Sequence, residues 1–142
     1  MNHRPYRGFC IKPKGKVKLN INGKILQGEW IEGYLCDDFI CYCDRDGDWG
    51  DEHIVLETVG QHTGCIDENM TEIFEGDRVV YNDGCCYFEG TVRFKKGSFV
   101  VVPDSSYSRP FETPLSELCG NGENNNMTEG LAVVGTEFDA EG

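Results

Sequence analysis

Residues 57–81 read ETVGQHTGCIDENMTEIFEGDRVVY, and this stretch decides the fold. Glu57, Thr58 and Val59 close an extended segment. Gly60 and Gly64 bracket Gln61-His62-Thr63, a spacing that predicts a tight turn. Asp67-Glu68-Asn69 predicts a second turn, with the aspartate bonding its own backbone and the asparagine tolerating positive φ. Glu75-Gly76-Asp77 predicts a third. Val79 and Tyr81 alternate with Arg78 and Val80, the two-residue period of a half-buried strand. Almost every residue here serves chain geometry, and none belongs to a recognisable catalytic set.

The same grammar continues outward. Toward the N-terminus, Val17, Leu19 and Ile21 alternate with Lys18, Asn20 and Asn22, and Asn22-Gly23 is a two-residue hairpin signal leading into Lys24-Ile25-Leu26. Gly28 interrupts the pattern, and Glu29 to Cys36 resumes it with Trp30 and Tyr34 at the same parity, expected as paired core aromatics. Asp37-Asp38 turns into a strand over Phe39 to Cys43, which places Cys41 and Cys43 on one face. His53 to Leu56 returns to the central stretch. Toward the C-terminus, Asn82-Asp83-Gly84 turns into a strand through Val92 and Phe94. Lys95-Lys96-Gly97-Ser98 then forms a hairpin, and Phe99 to Val102 is a strand stopped by Pro103. Thr113-Pro114 predicts an N-cap and first helical position, with Leu115 and Leu118 on one short turn. Leu131, Val133 and Phe138 predict a closing strand, and the tail after it predicts disorder.

Short bent strands and dense turns make the expected fold class mainly β. A small SH3-like barrel, closed over Val79, Tyr81, Val92, Phe94, Phe99 and Val101, is expected to pack with an N-terminal antiparallel β unit. The expected domains are 1–56, with residues 1–16 as a basic arm from which Tyr6, Phe9 and Ile11 can dock as a first strand, and 57–142, with a mobile acidic tail.

The central stretch also carries a resemblance. TVGQHTG, a turn and then EIFEGDRVVYNDG are similar to the signature of the YopX family, small proteins of bacteriophages and prophages. The likeness continues through Gly90-Thr91-Val92-Arg93-Phe94 and Gly97-Ser98-Phe99, and more weakly at Val133 to Phe138. Arg7-Gly8 and Trp30 to Tyr34 also fit. This sequence departs from the family where Asn69 is followed by Met70 rather than glycine, and where Gly135 is followed by Thr136 rather than asparagine. The resemblance implies a fold and a phage setting in a bacterial host, and brings no reaction with it.

Charge is unevenly distributed. The chain of 142 residues carries a net charge of −12. Residues 1–24 hold Arg4, Arg7, Lys12, Lys14, Lys16, Lys18 and Lys24 and no acid, so the remainder carries −19. So acidic a body repels phosphate backbones and argues against direct nucleic-acid binding. The basic arm then has three uses: an acidic partner, nucleic acid, or its own acidic body. No apolar run approaches the roughly 18–20 residues that span a membrane, and no signal-peptide core follows Met1. A cytoplasmic location is the default. The eight cysteines then read as reduced structural thiols, because Cys41-x-Cys43 and Cys85-Cys86 lack zinc spacing.

Chemistry is sparse. Asp44 to Glu52 imitates the first half of a calcium loop, but Trp49 and Val55 stand where the motif needs Gly and Glu, so a solvated acidic hairpin loop is expected. His62 and Cys65 are close in sequence without a third orienting group. No catalytic, cofactor-binding or metal residues are assigned. The expected function is a non-catalytic module that binds a protein partner, with Trp49, Tyr87 and Tyr107 as the candidate surface. Two rivals stand beside it: an acidic mimic of nucleic acid seated on a basic host or phage protein, and a metal-dependent enzyme using Asp44 to Glu52. A homo-oligomer held by edge pairing and by arm-to-body attraction is also expected.

Overall fold

The computed structural model describes residues 5–43, 46–82, 84, 87–104, 112–118, 127–128 and 130–139. They are mainly β, and the sheets are almost wholly antiparallel. No described helix is long and apolar enough to cross a membrane. The chain divides into two compact units, Met1–His62 with Phe138–Gly142, and Thr63–Glu137.

In the first unit the strands are β1 (Tyr6–Ile11), β2 (Val17–Ile21), β3 (Lys24–Cys36), β4 (Phe39–Cys43), β5 (Trp49–His53) and the first part of β6 (Val55–Asp67). Their order is β6-β1-β3-β4-β5, with β2 paired to β3. The hairpin from β2 to β3 turns on Asn22 and Gly23 at φ 54 and 87, as their chemistry predicts. Within the arm expected at residues 1–16, Tyr6–Ile11 docks as the first strand, and that strand is central: β1 pairs with β3 on one side and β6 on the other. Phe9 is fully buried against Leu19 and Ile21. Burial of one aromatic outweighs the polarity of its neighbours. Gly28 does not interrupt β3. A Cβ there would stand 1.9 Å from the Cys10 carbonyl oxygen, so the glycine permits close approach of two backbones. Phe138, expected in a closing strand, packs against this same core and its carbonyl accepts from the Asn20 N–H at 2.8 Å. Asp139, expected in the disordered tail, forms a bridge with Leu19.

The largest departure lies in the opening stretch. No tight turn occurs at Gly60 to Gly64; β6 runs through it as one strand. Gly64 takes φ 83 within the strand, so it accommodates a local distortion rather than a reversal. The second turn does form. The Asp67 side chain, fully buried, accepts from the N–H groups of Asn69 and Thr71 through Oδ1, both at 2.8 Å, and from Val133 N–H through Oδ2 at 2.9 Å. Positive φ falls on Met70 rather than Asn69.

In the second unit β7 (Glu72–Phe74) pairs with the end of β6, as does β12 (Met127–Thr128) in parallel. A five-stranded sheet runs β11 (Thr113–Pro114), β10 (Ser98–Pro103), β9 (Tyr87–Lys95), β8 (Asp77–Asn82), β13 (Leu131–Thr136). The closed barrel is not formed: the order ends at β11 and β13, and among the described residues these two strands do not pair. Thr113 and Pro114 pair with Val101 and Val100 instead of capping a helix, and α1 (Leu115–Leu118) is a single turn after them. Ile73, Val79, Phe88, Val92, Val101, Leu115 and Leu131 form the core. Phe94 departs from expectation: it stands 45% exposed at the strand end, against Phe99 at 4.9 Å.

Candidate functional site

Two-residue alternation and strand register together define one open face on the first unit. The turn at Asp37-Asp38, with Asp37 at φ 54, sets Cys36 opposite Phe39 and Tyr34 opposite Cys41. The next ladder sets Phe39 opposite His53, Cys41 opposite Asp51 and Cys43 opposite Trp49. Residues directly opposite in an antiparallel ladder project to the same side. Tyr34, Cys36, Phe39, Cys41, Cys43, Trp49, Asp51 and His53 therefore share one face. Two contacts agree with this: the Phe39 and His53 rings meet edge-on at 5.1 Å, and the Cys36 and Cys41 sulfurs lie 3.5 Å apart. On β3 this face begins as core, where Trp30 packs edge-on against Phe9 at 5.6 Å under the Arg7 guanidinium. Four residues on, it is open. Tyr34 is 47% exposed, Phe39 39% and Trp49 69%.

The other feature is a cleft of about 440 Å³, lined among others by Cys10, Ile11, Glu52, Val55 and Leu56, with Asp38 and His53 beside them. It lies at an irregularity in the β1–β6 ladder, where Arg7 faces Gly60 but Phe9 faces Val55. The three extra residues on β6 leave the Phe9 N–H without a strand carbonyl. Buried Thr58 replaces it: its hydroxyl accepts from Phe9 N–H at 2.9 Å and donates to the Val55 carbonyl at 2.6 Å. This bulge turns Leu56 outward to the cleft.

Glu52 organises the polar side of the cleft. Lys12 Nζ donates to it at 3.0 Å, the Cys10 thiol at 3.4 Å and the Tyr42 hydroxyl at 3.5 Å. The Lys12 hydrogen bond holds the Glu52 carboxyl below the usual carboxylate range, against the opposing effect of burial. Burial, followed by the hydrogen bond to Glu52, pushes the Cys10 thiol up. A thiol held protonated beside a carboxylate is a poor nucleophile. His53 Nε2 is hydrogen-bonded to Asp38 at 2.7 Å. Cys65 packs against the core of the second unit.

Of the three sequence-expected surface residues, Trp49 stands on the open face of the first unit. Tyr87 begins β9 in the second unit, 55% exposed. Tyr107 lies outside the described residues. Tyr34, expected in the core, is open, and Phe39 stands open beside it. The alternation with Cys36 and Cys41 and the two-residue turn between them are the signals that point to both. The acidic loop also changes character: Trp49 to Glu52 is strand, because Trp49 and Asp51 pair with Cys43 and Cys41, and Glu52 is committed to Lys12. Asp44 lies outside the described residues. Among the described residues no group of three His, Cys, Asp or Glu side chains is arranged to hold a metal ion.

The fold and this site define a mainly β protein of two antiparallel units, one of which presents an open aromatic sheet face. A family model described as "YopX protein" matches residues 20–138, and the chain belongs to the YopX family. No curated protein and no solved structure matches it.

Proposed function

We propose that this YopX-family chain is a non-catalytic module, encoded by a phage or prophage and working in the host cytoplasm, that binds a protein through the β3–β4–β5 face. The observation that supports this is the placement of Tyr34, Phe39 and Trp49, all open, on one regular three-stranded surface. Contiguous exposed apolar surface of this kind marks interaction sites, and rigid aromatics are the residues that anchor them. Asp51 stands between the aromatics, and the chain carries −12 overall. A partner with a basic surface suits that charge. Competition of such a partner with nucleic acid is the acidic-mimic form of the same reading.

The test compares the full-length chain with a Phe39→Ser, Trp49→Ala double variant as baits in cells carrying the phage. Covalent cross-linking and mass spectrometry identify what each captures. The expected result is a protein captured by the parent and lost by the variant, with circular dichroism of the two baits unchanged. Capture that is equal for both baits removes this face from the proposal. Release of the partner by added duplex DNA favours the mimic, and indifference to DNA favours simple protein binding.

A further inference from the structure

We infer that Cys36 and Cys41 are a peroxide-modifiable pair, closing to a disulfide across the β3–β4 corner. This does not depend on what the face binds. The Cys41 thiol donates to the Cys36 sulfur at 3.5 Å. Both carry free thiols. Cys36 is exposed and Cys41 half-buried, so solvent oxidant reaches Cys36 first.

Geometry separates this pair from Cys43 and Cys10. Cys36 opposes Phe39 and Cys41 opposes Tyr34, so the two cysteines are diagonal neighbours, a relation that places Cα atoms about 7–8 Å apart and Cβ atoms somewhat closer. A disulfide needs sulfurs at about 2.05 Å and Cα atoms within about 6.8 Å, so closure here requires the backbone to move. The pair is therefore in contact and unbonded, and closure draws the sulfurs together by roughly 1.5 Å. The element that yields is the two-residue corner Asp37-Asp38, where Asp37 already holds a left-handed φ of 54. Cys43 lies two residues along the same strand from Cys41, about 6.6 Å away with a parallel Cα–Cβ direction, which a disulfide does not bridge. Cys10 is buried and donates to Glu52.

The chemistry balances with a hydroperoxide as oxidant. The Cys36 sulfur attacks a peroxide oxygen; the O–O bond breaks, an S–O bond forms, and hydrogen peroxide leaves water and a sulfenic acid. The Cys41 sulfur then attacks the Cys36 sulfur. The S–S bond forms, the S–O bond breaks, and the hydroxyl departs as water with the Cys41 proton. Two electrons pass from the two thiols to one peroxide. The link tightens the corner between Tyr34 and Phe39 and so alters the open face.

The experiment treats the folded full-length chain with a small excess of hydrogen peroxide, then alkylates it in denaturant and digests it with trypsin. Cys36, Cys41 and Cys43 fall in one peptide, residues 25–45. The expected product is that peptide lighter by two hydrogens, alkylated on Cys43 alone, and alkylated on all three cysteines after dithiothreitol. A Cys43→Ser chain should give the same link. In the Cys41→Ser chain, the Cys36 sulfenic acid should persist and be trapped by dimedone. The inference is overturned if Cys36 and Cys41 stay alkylatable while peroxide is consumed. It is equally overturned if Cys43 enters the link, or if urea-unfolded chain forms the same link as fast. The parent-chain peptide map decides the matter even if the Cys41→Ser chain does not fold.

Discussion

At the residue scale, Met70 shows how a departure from the family becomes strain. The turn closed by Asp67 needs positive φ at its fourth residue, and Met70 supplies it at φ 67 with its side chain exposed. A side chain in the left-handed region costs roughly 1–2 kcal/mol. Met70→Gly removes that strain and loses some of the gain to backbone entropy, so urea unfolding should show a gain of about 0.5–1 kcal/mol. A loss of stability there would mean the turn differs from the one described. Cys10 gives a pH prediction. Its thiol titrates above its ordinary value in the folded chain, because of burial and Glu52. A raised folded-state value contributes stability at neutral pH that is lost as pH rises beyond the unfolded thiol value and through the folded one. Lys12, raised chiefly by its hydrogen bond to Glu52, acts in the same direction at higher pH. Stability measured from pH 7 to 10 should therefore fall, and a Cys10→Ala chain should fall less steeply.

At the element scale, the β1–β6 bulge depends on one hydroxyl. Thr58 substitutes for a missing strand carbonyl at buried Phe9 N–H. Thr58→Val keeps shape and volume but leaves that N–H without an acceptor, a loss of about 1–3 kcal/mol. Thr58→Ser keeps the acceptor and should lose less. Urea denaturation of the three chains orders them as parent, serine, valine; equal valine and parent stabilities would show that the bulge is satisfied another way. The hairpins illustrate the opposite case, in which local chemistry suffices. Asn22-Gly23 and Lys96-Gly97 both take paired positive φ values, and each closes its strands in the register that a two-residue turn dictates.

At the scale of the whole molecule, the last described residues complete the first unit. Phe138 packs on the cluster of Phe9, Leu19 and Ile21 and hydrogen-bonds Asn20. The chain has two tryptophans, Trp30 and Trp49, both in the first unit, so tryptophan fluorescence reports on that unit. Phe138→Ala should lower its unfolding midpoint, with a loss of about 2 kcal/mol for a partly buried aromatic. Unchanged fluorescence-detected unfolding would remove Phe138 from that core. The expected homo-oligomer remains a proposal in narrower form. Because β1 is central, Tyr6–Ile11 is not free to reach a neighbouring copy, whereas β5 ends its sheet and leaves an edge for pairing. Light scattering at low and high salt reads it.

The sequence by itself determined the β class, the hairpins at Asn22-Gly23 and Lys96-Gly97, the strand alternation and the family. These rest on interactions within a few residues: φ preference, side-chain parity and turn chemistry. Tertiary structure alone decided that Tyr6–Ile11 is a central strand, that Gly60 to Gly64 continues β6, that Phe138 belongs to the first core, and that Tyr34 stands open beside Trp49 and Phe39. Each of these turns on what packs against a residue from far along the chain. A glycine permits a turn, a bulge and a close approach equally well, and an aromatic at a given parity is buried only where another segment covers its face. Trp30 packs against the cluster of Phe9, Leu19 and Ile21, whereas the pairing of β1 with β3 ends at Gly33, before Tyr34.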